Sequence, residues 1–217
     1  FVGDGWDAEN IASGAYIDLC RKDMEYFFGL PPYDRLRDYF DVYACVALSQ
    51  ETGVSTMNIS RDTKLGTIYS ATLIPNDEEV FAYISSLTGR QTGHGFEEGN
   101  MWRSLIILIP NTTDYTGCTY YYNDGSTLSI CPPSDRTYPN DTRGIIQHEA
   151  GGHGFGKLAD ESVLFNDYIK LNYVNEINKY QAQGWYTNIS TTGISTNVPW
   201  ADMIFDPRYS NYVDVFE

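Results

Sequence analysis

Apolar residues recur along this chain with two different periods, and each predicts an element. Between Trp6 and Phe28, the residues Ile11, Ala15, Leu19 and Phe27 fall near one face of a helical period, and Gly29-Leu30-Pro31-Pro32 ends the run. A short helix over Tyr33–Tyr39 follows. Phe40–Leu48 alternates and is rich in aromatic and branched residues, which predicts a strand buried on at least one face. Asn76 followed by Glu79 has the form of a helix cap, and the helix should run to about Ser86. Ser104–Pro110, which holds the longest apolar stretch from Leu105 to Pro110, is the strongest candidate for a central strand. Val163–Gln183 reads as mostly helical, broken near Asn166 or Asn172, and Trp185–Val198 reads as turns. Strands and helices are interleaved, so the fold class is α/β, with a small mixed sheet and backing helices.

Turn chemistry adds a hairpin. Asn123-Asp124-Gly125-Ser126 is a strong turn signal, and Asp124-Gly125 at its tip sets Cys118 directly opposite Cys131. A disulfide is expected there, with Cys20–Cys45 as the second pairing. Asn58, Asn111, Asn140 and Asn188 each head a glycosylation sequon. Together these features point to an exported protein in an oxidising compartment.

Composition narrows the partners. At 217 residues the chain reads as a single domain, residues 1–217, with enough apolar content to bury one core. No apolar run approaches the length of a membrane span. A net charge of −15 excludes a polyanionic partner such as nucleic acid, whose recognition needs clustered Lys and Arg. Phe1–Gly5 reads as the end of a strand entering a turn, so the sequence is expected to be part of a longer chain.

The chemistry lies in Gly144–Glu161. Imidazole is a preferred zinc ligand, and a His-Glu pair followed about one turn later by a second His can aim both rings at one ion. The intervening Glu149 then stands beside the metal, where it can take a proton from the attacking water and pass it to a leaving amine. His148 and His153 are five residues apart, and on an α-helix that step turns the second ring about 140° from the first. A π-type bulge, absorbed at Gly151-Gly152, would return both rings to one face. A catalytic zinc usually has a third protein ligand. Asp160, beyond the Gly154/Gly156 break, is the candidate, with Glu161 as the alternative.

From Gly152 on, Gly-His-Gly-Phe-Gly-Lys-Leu-Ala-Asp-Glu resembles the active-site segment of the IgA-peptidase family of zinc metallopeptidases, where His-Glu-x-Gly-His runs into Leu-Ala-Asp-Glu. This chain has one residue more between Glu149 and His153, a spacing similar to that of the dipeptidyl-peptidase III family, whose members are active zinc enzymes. Weaker matches to the IgA-peptidase family occur at Gly3-Asp4-Gly5, from Ser49 to Val54, at Thr67, at Asn111 with Asp114-Tyr115-Thr116-Gly117, and at Val198-Pro199-Trp200.

The resemblance implies a zincin-like metallopeptidase catalytic domain with an active-site helix crossing under the edge strand of the sheet. It further implies a Zn2+ cofactor held by His148, His153 and Asp160, Glu149 as the catalytic base, and a protein or peptide substrate near the 118–131 hairpin. The family continues past a segment like Val213–Glu217, so Met203 is expected to be core rather than a turn beneath the metal. The leading function is an exported zinc metalloendopeptidase. The alternatives are a secreted non-catalytic binding module on the same scaffold, or a zinc exopeptidase acting on short peptides. His94 reads as a residue of an exposed loop.

Overall fold

The computed structural model describes residues 1–88, 104–115, 117–160, 171–211, 213 and 215. In chain order the elements are β1 (Val2–Asp4), α1 (Ala8–Ala12), α2 (Ala15–Phe28), two 3-10 turns (Tyr33–Arg35 and Arg37–Tyr39), β2 (Ser55–Thr56), β3 (Ile68–Ser70), β4 (Thr72–Ile74) and α3 (Asp77–Thr88). Then come β5 (Leu105–Pro110), β6 (Cys118–Tyr121), β7 (Thr127–Ile130), α4 (Thr142–Ile145), a π-helix (Ile146–Phe155), α5 (Leu171–Gln181) and α6 (Ala201–Phe205). They form two compact units, Phe1–Phe155 and Gly156–Glu217.

In the first unit the apolar run of β5 lies inside a sheet of order β1-β5-β7-β6, parallel to β1 and β7, with β6 antiparallel at the edge. Side chains alternate across a strand, so β5 feeds two cores. Ile106 and Leu108 join Leu65, Leu73, Val80 and Phe81 on one face. Ile107 and Ile109 join Tyr16, Phe27, Tyr33 and Ile146 on the other. That second face carries α2 and the helix bearing both His148 and His153. A smaller sheet of order β2-β3-β4 completes the unit.

The loop after Glu51 is tied to the opening segment. Asp4 is fully buried, and its carboxylate accepts from the backbone of Gly5, Leu65 and Thr67 and from the Thr63 hydroxyl, at 2.7–3.3 Å. Charge-assisted bonds of this kind hold a buried carboxylate and the loop together. Gly3-Asp4-Gly5 is therefore a structural clasp.

Several expectations change. The first predicted helix is two, divided at Gly14, whose φ of 83° is left-handed. Phe40–Leu48 forms no strand; it runs beside β1 and touches the sheet through isolated bridges from Cys45 to Val2 and from Leu48 to Trp6. Asn76 does cap α3, accepting from the Glu79 amide at 3.3 Å. Met203 is exposed on α6 and is not core. His94 and Glu161 lie outside the described residues, as does most of the predicted helix before Leu171.

The hairpin overturns the disulfide. Tyr122 and Ser126 flank a three-residue loop with Gly125 at φ 89°, and Cys118 pairs with Ile130 rather than Cys131. One residue of slip moves a side chain to the opposite face of a sheet. Cys118 therefore packs against the Leu73 core and Cys131 against the Tyr16 core. Cys45 and Cys20 divide between the same two cores, and all four thiols are free. Burial pushes Cys20 and Cys118 up to about 11, so both stay protonated.

Two sequons are structural. The Asn111 amide donates to the Gly5 carbonyl, Asn10 and Thr52, and the Asn188 amide pairs with both the N–H and the C=O of Ala159. Asn58 and Asn140 are exposed. In folded protein recovered from a glycosylating secretory host, peptide mapping should find sugar at Asn58 and Asn140 and none at Asn111 or Asn188.

Asp23 on α2 is fully buried and neither carboxylate oxygen has a hydrogen-bond partner. Burial pushes its pKa up to about 8, against the opposing charge of Lys22. The folded chain keeps this proton while the unfolded chain releases it near 3.8, so stability falls as pH rises from about 4 to 8. Asp23→Asn should remove that decline. Thermal unfolding should show the variant more stable than the parent at pH 8, by more than about 1 kcal/mol, and little different at pH 4.

Candidate metal centre

The segment carrying both histidines begins conventionally. Asp141 caps α4, its carboxylate accepting from the Gly144 amide at 2.8 Å. From Ile146 the helix widens, and all of Ile146–Phe155 is π-helical rather than bulged at one point. Bonding from i to i+5 stacks position five over position one. His148 and His153 therefore share a face, with ring centroids 4.6 Å apart and Nε2 atoms 3.1 Å apart. His148 is exposed and His153 buried.

A long π-helix is not self-sustaining, and neighbouring hydroxyls support this one. Ser129 and Thr119 both reach the Glu149 carbonyl at 3.0 Å, Tyr33 donates to the Gly151 carbonyl at 2.8 Å, Tyr121 to His153 at 3.3 Å and Thr127 to Gly154 at 2.9 Å. Phe155 closes the helix among Phe27, Tyr33 and Phe40, with centroids 5.3–6.4 Å apart. Gly151 and Gly152 do not absorb the extra residue through unusual dihedrals, since neither has a positive φ. Gly151 serves close approach instead, because a Cβ there would stand 3.3 Å from the Tyr33 ring.

Glu149 is 8% exposed and turned toward β6, where the Thr119 hydroxyl meets its Oε2 at 3.0 Å. Its stem lies against Gly117, whose φ is 120° and where a Cβ would press on Glu149 Cγ, Ile145 and the Ile130 carbonyl within 3.0 Å. Only glycine fits there. Sequence reading marked Gly117 as a family match but gave it no role, and it missed Thr119, Ser129 and Tyr33. The alternation of β6 is the one signal that could have aimed Thr119 at the helix.

Asp160 follows Ala159, whose backbone Asn188 grips on both sides, and the Lys157 carbonyl accepts from the Tyr186 amide at 2.8 Å. Within the first unit, His148 and His153 bring two imidazole nitrogens together on one face of the π-helix. Paired imidazoles are donors of hydrolytic zinc sites. Metal–nitrogen bonds of about 2.0–2.1 Å in a tetrahedron place neighbouring nitrogens about 3.3 Å apart. The 3.1 Å between the two rings is close to that edge, so these residues fit a zinc ion.

A search of the curated proteins finds no match. The profile of the family described as IgA Peptidase M64 matches residues 1–210. It runs from the Asp4 clasp through the histidine helix to the segment beyond α6. The chain belongs to this family of metallopeptidases, and so is a peptidase acting on protein or peptide substrates.

Proposed function

We propose that this chain is the zincin-type catalytic domain of an exported zinc endopeptidase. The observation that carries the reading is the pair of Nε2 atoms 3.1 Å apart on the helix that also carries the buried Glu149. His148, His153 and Asp160 would hold Zn2+. When bound, the ion would supply Lewis-acid polarisation of the scissile carbonyl and lower the pKa of water. Glu149 takes the proton of the attacking water and delivers it to the leaving amine. The anchoring of one carboxylate oxygen by Thr119 supports this role. The substrate lies extended along the edge strand β6, pairing by its main chain. Export is supported by the acidity of the chain and by the exposed sequons at Asn58 and Asn140.

Glu149→Gln should bind zinc as the parent does and lose peptide hydrolysis by about 100-fold or more. Retained hydrolysis with zinc in place would remove Glu149 as the base. Chelation should abolish activity and stoichiometric Zn2+ restore it, as measured on a peptide blocked at both ends. A blocked peptide left uncut, while one with a free amine is cleaved, would make the enzyme an exopeptidase.

A further inference from the structure

Thr119 reaches three acceptors with a single proton. Its Oγ1 lies 3.0 Å from Glu149 Oε2, 3.0 Å from the Glu149 carbonyl and 3.1 Å from Ser129 Oγ. Ser129 Oγ lies 3.0 Å from the same carbonyl. One arrangement satisfies both hydroxyls. Ser129 donates to the backbone carbonyl, and Thr119 donates to the carboxylate, because the charged acceptor makes the stronger bond.

We propose that Thr119 is the positioning residue of the catalytic base, its hydroxyl clamping one carboxylate oxygen of Glu149 so that the side chain keeps a single orientation. This rests on the reading of Glu149 as the base. A glutamate stem has three rotatable bonds, and a misaimed base loses most of its advantage. The clamp comes from β6 because Thr119 stands opposite Ser129 in the hairpin register, which puts both hydroxyls toward the helix. Gly117, two residues earlier on the same segment, closes the other side by packing on the Glu149 stem.

The test separates the carboxylate from the backbone it shares the hydroxyl with. Thr119→Val is nearly isosteric and lacks the donor. It should lower kcat on a blocked peptide by roughly 10- to 100-fold, leaving KM and zinc content close to the parent. Thr119→Ser should restore most of kcat. In the zinc-free protein, Thr119→Val should lower the melting temperature less in a Glu149→Ala background than in the parent, because the carboxylate partner is gone. Unchanged kcat in Thr119→Val overturns the proposal, as does an identical melting shift in both backgrounds. Activity retained by Glu149→Gln instead overturns the underlying assignment of the base, so the two failures are distinct.

Discussion

Hydroxyl groups donated to the carbonyls of the π-helix are the constraint on which the site depends. With i to i+5 bonding the two histidines meet, and with i to i+4 bonding they diverge. Ten residues of the wider form persist because Tyr33, Tyr121, Thr127 and Ser129 take up carbonyls along its length. Each bond is worth only about 1 kcal/mol net, but a buried carbonyl left without one costs more, so the surrounding frame selects the helix type. The donors come from β6, β7 and the 3-10 turn after α2. The geometry of the histidine pair is thus a property of the sheet and helix around it.

That frame has its own fastenings. Asp4 holds the loop through Thr67 against β1, and Asn111 ties the end of β5 to Gly5 and Thr52. Both residues were noted in the sequence for other reasons, one as a family match and one as a sequon. In each case a polar side chain that looked available for recognition is spent on main-chain groups that burial would otherwise strand. Asn188 follows the same logic beside Asp160.

The hairpin shows how finely the surroundings of Glu149 are tied to register. A two-residue turn would have set Cys118 against Cys131, while the three-residue loop sets Thr119 against Ser129. The shift sends the two thiols into separate cores and turns two hydroxyls onto the helix. What reads in the sequence as a stapled hairpin is the support of the Glu149 carboxylate.

Local pattern made much legible: the apolar run of β5, the Asn76 cap of α3, the mixed character of the sheet, and the residue types of the histidine segment, whose ligand chemistry is intrinsic to imidazole and carboxylate. Even the need for a wide turn followed from the five-residue spacing. The length of that turn, the break at Gly14, the missing strand at Phe40–Leu48 and the exposure of Met203 did not follow. Each of these turns on which distant group supplies a hydrogen bond or an apolar contact. Periodicity and spacing describe a residue against its near neighbours, and only the tertiary structure brings Thr119 to Glu149 or Tyr33 to Gly151.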